Sequence, residues 1–324
     1  MDLSVVIPLY NEEENVVELH RELREVLDTL DKRSEIVIID DGSSDNSLKL
    51  LNEIGEKDPD LVVVSFRRNF GQTAAMAAGF DQAMGEVIIT MDGDLQNDPH
   101  DIPQMLTKLD EGYDVVTGWR HDRQDAFLNR KLPSMIANKI ISKTTGVGLH
   151  DYGCTLKAFR REVVKEIRLY GEMHRFIPAI ASGMGISFTE VKVNHRPRRF
   201  GTSKYGISRT IRVVLDLLTV KFLLSYSTRP IQVFGLLGVI SGGLGFGIAL
   251  IMTIQRQFFD IPLGNRPLLF LAILLIMIGF QFVTMGLLAE LQARTYHESQ
   301  SKPIYYIKKI YGRDDEDAGG DDAG

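Results

Sequence analysis

The chain has 324 residues, of which 44% are hydrophobic and 25% charged, so it is neither a disordered protein nor one that lies wholly within a membrane. Its formal charge is -6, but six acidic residues lie in the last eleven positions; the rest is formally neutral, and we expect no nucleic-acid partner. A single cysteine, Cys154, excludes an internal disulfide and any zinc site built from several cysteines.

The first 120 residues alternate strand-like and helix-like segments, which is typical of an α/β domain with right-handed crossovers and a mainly parallel sheet. The predicted strands are Leu3–Pro8, Glu35–Asp40, Leu61–Phe66, Glu86–Asp92 and Asp114–Gly118. The predicted helices lie around Glu13–Leu30, Ser44–Glu56, Gln72–Met84 and Asp101–Glu111. The first strand begins directly after the N-terminus, without a basic and apolar leader, so we expect this domain in the cytoplasm.

Polar residues follow three of these strands. Ligands of parallel sheets bind beyond the carboxyl ends of the strands, where Tyr10, Asp40 and the Asp-Gly-Asp of residues 92–94 fall. The first strand is followed by neither a G-x-G-x-x-G pattern nor a P-loop lysine, so the usual phosphate sites lack their residues. Asp-x-Asp at a strand end can hold Mg²⁺ or Mn²⁺ against a diphosphate, although a tight turn uses the same residues.

Two uncharged segments, Ile231–Ile254 and Leu268–Ala289, are long enough to cross a bilayer. At about 1.5 Å per residue the first reaches about 36 Å, against a hydrocarbon core of about 30 Å. Buried helices of a soluble core are the alternative, but such helices normally carry a polar stripe. Basic residues concentrate before the first segment and after the second, which predicts that both termini face the cytoplasm.

An amphipathic pattern lies between the α/β domain and the first apolar segment. Ile207, Ile211, Val214 and Leu218 share one helical face, which predicts a helix at the membrane interface. A helix that packs on the domain core would show the same pattern, and this alternative stays open.

Several motifs carry a family resemblance. Ile-Pro-Leu-Tyr-Asn-Glu-Glu-Glu-Asn at 7–15, Asp-Asp-Gly-Ser-Ser-Asp at 40–45 and Met-Asp-Gly-Asp-Leu-Gln at 91–96 resemble the signatures of inverting family 2 glycosyltransferases, which have the GT-A fold. Segments at 118–120, 151–154, 172–178 and 198–205 are similar to the polyprenyl-phosphate glycosyltransferases, which include bactoprenol glucosyltransferases and dolichol-phosphate mannose synthases. Processive synthases carry Gln-x-x-Arg-Trp, but the only tryptophan here is Trp119, so polymer synthesis is disfavoured.

The resemblance implies roles for residues around the first three motifs. The nucleotide sugar would contact Pro8, Tyr10, Glu12, Asp40, Asp92 and Gln96. Asp94 would ligate a Mg²⁺ or Mn²⁺ ion beside Asp92, and Asp94 and Asp151 would be the catalytic residues. The structural alternatives are that Pro8 and Tyr10 end a strand, that Glu12 caps a helix and that Asp40 forms an Asx turn.

The acceptor side requires positive charge. A polyprenyl phosphate, with a second pKa of about 6, is mostly dianionic at neutral pH and needs positioning more than deprotonation. The candidate acceptor-phosphate residues are Arg120, Arg130, Arg198, Ser203 and Lys204. The basic ones could instead attract anionic lipid or solvate a loop. Asp151 would then orient the acceptor or a sugar hydroxyl, or accept a proton from the monoanion, and His174 is assigned a structural role.

We therefore predict metal-dependent, inverting transfer of a sugar, with UDP-glucose as the first expectation, to polyprenyl phosphate at the cytoplasmic face of a bacterial inner membrane. A GDP-mannose or modified-arabinose donor is one alternative, a non-catalytic nucleotide-sugar-binding or lipid-flippase subunit is another, and a homo-oligomer is left open. The predicted parts are a GT-A domain at 1–205, an interfacial helix at 206–229, membrane helices at 230–254 and 267–290, an extracytoplasmic loop at 255–266, and a cytoplasmic tail at 291–324 with a disordered acidic end.

Overall fold

A computed structural model describes residues 1–121, 142, 147–167, 169, 177–182, 185–197, 231–259, 262, 267–299 and 304–312. The chain divides into two compact units. The first comprises Met1–Val220 together with Pro303–Gly324, and the second comprises Lys221–Lys302.

The first unit begins with the predicted alternation of strands and helices. Its early strands are β1 (Leu3–Leu9), β2 (Ser34–Asp40), β3 (Leu61–Phe66), β4 (Val87–Thr90) and β5 (Val115–Trp119). The helices between them are α1 (Val16–Leu27), α2 (Ser47–Gly55), α3 (Gln72–Gln82) and α4 (Ile102–Asp110), with a short 3-10 helix at Pro99–Asp101. Further along lie β6 (Lys157–Arg160), α5 (Arg161–Glu166), α6 (Ile177–Ser182), β7 (Phe188–Lys192) and β8 (Ile307–Tyr311).

These strands form one eight-stranded sheet in the order β7-β5-β6-β4-β1-β2-β3-β8. The centre is parallel, because β1 pairs with β2 and β4, and β2 pairs with β3, in the same direction. Strand β6 is inserted antiparallel between β4 and β5, so β4, β5 and β7 also run the same way. The carboxyl ends of β1, β2, β4, β5 and β7 therefore lie at one edge of the sheet, and the predicted α/β class with a GT-A-like sheet is confirmed.

The core lies where helices cover the parallel strands. Every residue of β2 and β3 is buried, as expected for parallel strands that are covered on both faces. Helix α1 contributes an apolar face with the 3.6-residue period, formed by Val16, Leu19, Leu23, Val26 and Leu27. The β-branched runs and the amphipathic helices that predicted these elements are the same residues that build the core.

The segment after the second apolar stretch differs from its prediction. The sequence placed all of 291–324 in a tail, whereas helix continues to Ser299 and Ile307–Tyr311 forms β8. Strand β8 pairs antiparallel with β3, with Val64 opposite Ile310. The physical reason is that β3 would otherwise expose an unpaired strand edge, which β8 covers.

The second unit contains two long helices, α7 (Ile231–Phe259) and α8 (Pro267–Ser299). Within them, Phe234–Phe259 and Pro267–Ala289 have the length and mean hydropathy of membrane spans, and in each only 11% of the most apolar 18-residue stretch is buried. The two helices approach closely at Gly238, where an added Cβ would lie 2.7 Å from the Gly279 carbonyl oxygen. Apolar side chains such as Phe258 (76% exposed) otherwise point outward, which disfavours the core of a soluble domain and supports membrane association.

Candidate active site

The loops that follow β1 and β2 are joined by hydrogen bonds. The Asn11 backbone N–H donates to Ser43 Oγ at 2.9 Å, and the Ser44 N–H donates to Asn11 Oδ1 at 2.8 Å. The Glu12 N–H donates to Ser47 Oγ at 3.0 Å. These contacts place the first two motifs side by side at the carboxyl edge of the sheet.

Pro8, Tyr10 and Glu12 lie along this edge. Pro8 is inside β1 and Tyr10 follows it directly, and both are half-buried. The Glu12 carboxylate accepts a hydrogen bond from Asn15 Nδ2 at 2.5 Å, and the Glu12 carbonyl accepts the Val16 N–H at 3.2 Å. Glu12 therefore makes contacts at the start of α1, through its carboxylate to the Asn15 side chain and through its backbone carbonyl to Val16.

Asp40 and Asp41 are almost fully buried, at 1% and 4% exposure. Asp40 Oδ1 accepts the N–H of Ser43, three residues further on, at 3.0 Å, and Asp40 Oδ2 accepts the Ser65 hydroxyl at 3.1 Å. The Asp40 side chain thus bonds its own turn, although the Asx turn left open as an alternative would join residues two apart. Asp41 accepts the backbone N–H groups of Phe70 at 2.7 Å and Gly71 at 2.9 Å. Burial raises the pKa of Asp41 and the neighbouring Asp40 adds to the effect, while these two amides oppose it.

Residues 67–71, which we call the Phe70 loop, pack on the turn after β2. Gly42 has a φ of +70°, and a Cβ at this position would lie 2.5 Å from the Arg68 carbonyl carbon. Only glycine combines this left-handed conformation with so close an approach of two backbones. The next residue, Gln72, donates from Nε2 to Asp92 Oδ1 at 2.8 Å. The Phe70 loop and Gln72 thus connect the turn after β2 with the acidic motif after β4.

Asp92 is held from two sides. One oxygen accepts Gln72, and the other accepts the Thr155 hydroxyl at 2.9 Å. Its backbone N–H donates to Asn97 Oδ1 at 3.1 Å. Asp92 keeps some exposed surface, but the surrounding protein desolvates its carboxyl group. This desolvation is the main cause, and the charge of Asp94 the second, that raises the pKa of the carboxyl to about 6. Both oxygens of Asp92 are therefore already engaged within the chain.

Asp94 lies in a strained loop. It is 6% exposed, and its Oδ1 accepts the Gln96 N–H at 3.2 Å. Leu95 between them has a φ of 58°, and Asn11 after β1 has a φ of 53°. Left-handed backbone at a residue with a Cβ costs about 1 to 3 kcal/mol and concentrates at functional sites. In the part of the chain that the structure describes, both such residues lie in the loops predicted to bind substrate.

The described residues contain no group of three or more His, Cys, Asp or Glu side chains arranged to hold a metal. A metal at this edge would therefore rely on Asp94, with Asp92 beside it, and on oxygen atoms from substrate and water. Carboxylate oxygens suit Mg²⁺ and Mn²⁺, both of which commonly keep water and phosphate ligands, so these residues fit the predicted ion.

Arg120 and Asp151 pair with each other. Arg120 donates from Nε to Asp151 Oδ2 at 2.7 Å and from Nη2 to Oδ1 at 2.9 Å, and the Gly153 N–H donates to Oδ1 at 3.1 Å. Burial alone would lower the pKa of Arg120, but the hydrogen bonds and charge of Asp151 outweigh it and raise that pKa. The sequence assigned Arg120 to the acceptor phosphate and Asp151 to catalysis, without predicting that they form a buried ion pair.

Lys157 is a buried cation close to this pair. It is 3% exposed, lies in β6 and donates from Nζ to the Cys154 carbonyl oxygen. Burial lowers its pKa, and the charges of Asp151 and Asp92 partly oppose this effect. Lys157 therefore contributes to the electrostatic environment of the site without reaching its surface.

Beside the pair lies an aromatic cluster that the sequence did not predict. The His150 ring stacks on Trp119 with centroids 4.3 Å apart, and His150 Nδ1 lies 2.8 Å from Glu190 Oε2. Glu190 also accepts the Asp151 N–H at 3.2 Å, so β7 helps to position the Asp151 segment. The sequence feature that could have indicated this cluster is that Trp119 directly precedes Arg120 and His150 directly precedes Asp151.

Gln96 also lies at this edge. Its Nε2 donates to the Arg196 carbonyl oxygen at 3.3 Å, and its own carbonyl accepts the Arg196 N–H at 3.0 Å. The remaining predicted acceptor residues, Arg130, Arg198, Ser203 and Lys204, lie outside the described residues, as do His174 and the interfacial helix at 206–229.

The chain matches the pattern of a known family and resembles a named relative over most of its length. The pattern of the family described as "Glycosyl transferase family 2" matches residues 4–168. The dodecaprenyl-phosphate galacturonate synthase of Rhizobium johnstonii is 44% identical over 315 residues, which cover 96% of this chain and 93% of the relative.

Solved structures resemble the fold at low identity. Glucosyl-3-phosphoglycerate synthase from Mycobacterium tuberculosis, in complex with Mn²⁺ and UDP-glucose, has a TM-score of 0.53 at 17% identity, over 68% of this chain and 78% of that one. Mannosyl-3-phosphoglycerate synthase from Rubrobacter xylanophilus has a TM-score of 0.56 at 15% identity, over 68% and 74% of the two chains. At these identities the likeness concerns the fold alone.

Proposed function

This chain belongs to glycosyl transferase family 2, as a polyprenyl-phosphate glycosyltransferase, and we propose that it transfers a galacturonosyl group from UDP-galacturonate to a polyprenyl phosphate. The observation that carries the proposal is the relative at 44% identity, because the match covers 96% of this chain and so includes both the acidic loops and the two apolar helices. That relative's name favours galacturonate over the glucose expected from the sequence.

The donor would bind across the carboxyl ends of β1, β2 and β4. Asp40, Asp41 and the Phe70 loop form a turn whose polar groups are mutually satisfied, which is the pre-organisation that a nucleotide pocket needs. Asp92, held by Gln72 and Thr155, lies between this turn and Asp94. Gln96 would lie close to the sugar, where the family resemblance places it.

A divalent cation bound through Asp94 would neutralise the nucleoside diphosphate as it leaves. Asp92 would mainly orient the loop, since both of its oxygens already accept hydrogen bonds. The choice of Asp94 as the principal ligand rests on its place at the strand end and on its strained neighbour Leu95.

The reaction would be a single in-line displacement with inversion at the anomeric carbon. The acceptor phosphate is already a nucleophile at neutral pH, so the chain has to hold it in line with the leaving group. Asp151 would act through Arg120, because its oxygens accept the guanidinium N–H groups and the Gly153 amide. Arg120 would present positive charge to the acceptor from a fixed position. Since the chain is an enzyme, the non-catalytic binder and the flippase subunit are set aside.

The membrane arrangement would be a hairpin with both chain ends in the cytoplasm. Strand β8 follows α8 yet pairs with β3, which precedes α7. Both strands must lie on the same side of the bilayer, so the chain between them crosses an even number of times. Helices α7 and α8 would supply two crossings, and the basic residues outside them favour a cytoplasmic catalytic domain.

The test is a donor panel. Membranes containing the protein and dodecaprenyl phosphate are incubated with Mg²⁺ or Mn²⁺ and with labelled UDP-galacturonate, UDP-glucose, GDP-mannose or a nucleotide-linked modified arabinose. We expect label to enter the organic phase only from UDP-galacturonate, and EDTA and the Asp94→Asn variant to prevent it. Transfer from UDP-glucose alone would refute the galacturonate donor, and transfer that survives EDTA would refute the metal.

A further inference from the structure

The segment after the second membrane helix packs on the Phe70 loop. The Tyr305 ring stacks on Phe66 at 5.2 Å between centroids and 11° between planes, and its hydroxyl lies 2.6 Å from Asp81 Oδ2. The Tyr306 carbonyl accepts the Arg67 N–H at 3.1 Å. Burial and Asp81 raise the pKa of Tyr305, so its hydroxyl remains a hydrogen-bond donor at neutral pH.

Aromatic contacts continue from this segment into the loop. Phe66 meets Phe70 edge to face at 5.7 Å, and Phe70 meets the Tyr306 ring at 6.0 Å. Tyr305 is 7% exposed, so the stack on Phe66 is a buried contact. Residues 67–69 are exposed, and the loop therefore owes its position to its two ends and to Asp41.

The same loop reaches both acidic motifs. Its Phe70 and Gly71 amides bind Asp41, its Arg68 backbone lies against Gly42, and the next residue, Gln72, binds Asp92. A shift of the loop would therefore release Asp41 and Asp92 together. Such a shift requires the Phe70 ring to leave the Phe66 and Tyr306 rings, and it strains the hydrogen bond from the Arg67 N–H to the Tyr306 carbonyl.

We infer that Tyr305 is a positioning residue for the nucleotide pocket: by stacking on Phe66, which in turn contacts Phe70, it sets the Phe70 loop. Donor affinity therefore depends on the segment 304–311 that follows α8. This deepens the proposed function, since it concerns the same donor site. Tyr305 has no direct part in the chemistry, so its loss acts on donor binding and leaves the transfer step at saturating donor unchanged.

Two variants of the full-length protein in nanodiscs distinguish the contribution of the Tyr305 ring from that of its hydroxyl. Tyr305→Leu removes the stacked ring, and we expect the Kd of UDP with Mn²⁺, measured calorimetrically, to rise about 10-fold. Hydrogen exchange at the Phe70 and Gly71 amides should accelerate in parallel. Tyr305→Phe keeps the ring and should bind UDP within about threefold of wild type, since Asp81 is exposed and can bond water.

Tyr113→Ala is the matched control, because Tyr113 is a tyrosine that packs, partly buried, on the core but lies before β5, at the opposite edge of the sheet from the acidic motifs. It should lower thermal stability as Tyr305→Leu does without changing the UDP Kd or the exchange of the loop. The inference is overturned if Tyr305→Leu binds UDP like wild type, or if its loop exchanges no faster than in Tyr113→Ala. If wild type binds no UDP, the proposed donor falls, and the exchange comparison still decides the positioning role.

Discussion

Replacing Asp151 by asparagine distinguishes between two roles for this residue: a general base, or a carboxylate that holds Arg120 in position. The side chains of Arg120 and Asp151 are 14% and 6% exposed, so the pair is buried and bidentate. Removing one partner of such a pair lowers the free energy of unfolding by about 3 to 5 kcal/mol. Because Arg120 keeps some exposure to water, we expect the lower value, about 3 kcal/mol. For a domain of this size, 1 kcal/mol corresponds to about 2 to 4 °C. Asp151→Asn should therefore lower the melting temperature by about 6 to 12 °C.

The single variant Arg120→Gln and the double variant with Asp151→Asn complete a double-mutant cycle, in which the double variant decides the argument. It leaves no unpaired buried charge, so it should recover part of the stability that Asp151→Asn loses, measured by thermal unfolding in detergent. At a permissive temperature Asp151→Asn should raise the acceptor KM more than it lowers kcat. A melting temperature unchanged by Asp151→Asn, together with a loss of about 100-fold or more in kcat, would instead identify a general base and refute the positioning role.

Three further predictions concern the other acidic loops. Asp94→Asn should lower lipid-linked product at least about 100-fold in the extraction assay with little change in melting temperature, because it removes the carboxylate proposed as the principal metal ligand. Gly42→Ala should cost about 2 kcal/mol and raise the donor KM, because a Cβ would lie 2.5 Å from the Arg68 backbone at a φ of +70°. Burial would raise the pKa of Asp98, but hydrogen bonds from neighbouring side chains lower it to about 2, below its ordinary 3.8. The ionised Asp98 carboxylate therefore stabilises the folded state fully above about pH 4, and this stabilisation is lost as the pH falls towards 2. The difference in melting temperature between wild type and Asp98→Asn should shrink across that range.

Each of these variants has a matched control. Asp60→Asn removes an exposed carboxylate just before the amino end of β3, at the sheet edge opposite the acidic motifs, and should leave transfer and the acid stability profile of the protein unchanged. Gly55→Ala adds a Cβ in α2 where no atom lies within 4 Å, so it should be neutral or stabilising. Full activity of Asp94→Asn, wild-type stability of Gly42→Ala, or an advantage over Asp98→Asn that persists at pH 2 would each contradict the corresponding argument.

The predicted elements that the structure confirms are those with a strong local pattern. Strands β1, β2 and β3 are runs of β-branched residues buried on both faces, and α1 carries an unbroken apolar stripe. Because parallel strands end at one edge, the convergence of Tyr10, Asp40 and Asp92 could be predicted before any contact was known.

The features missed by the sequence depend on contacts between distant residues. Strands β6, β7 and β8 have only four or five residues each, and β6 begins with the buried Lys157, so none shows a clear period. The Arg120–Asp151 pair joins residues 31 positions apart, and nothing local indicates that a predicted phosphate ligand and a predicted catalytic carboxylate satisfy each other. The Phe70 loop carries no catalytic motif. Its importance appears only when Asp41 is seen to accept its last two amides and Asp92 to accept the next residue, Gln72.

The position of β8 constrains how the molecule assembles. The strand edge of β3 stays unpaired until residues 307–311 have been synthesised, after both α7 and α8. An open edge of buried β-branched residues favours association with other chains, so the nascent domain is exposed to aggregation while the membrane hairpin inserts. The same late step brings Tyr305 onto Phe66 and thereby sets the Phe70 loop. On the proposed function, completion of the donor pocket would therefore follow synthesis of α7 and α8, and a chain that stops before residue 304 should lack both a covered sheet edge and a competent donor site.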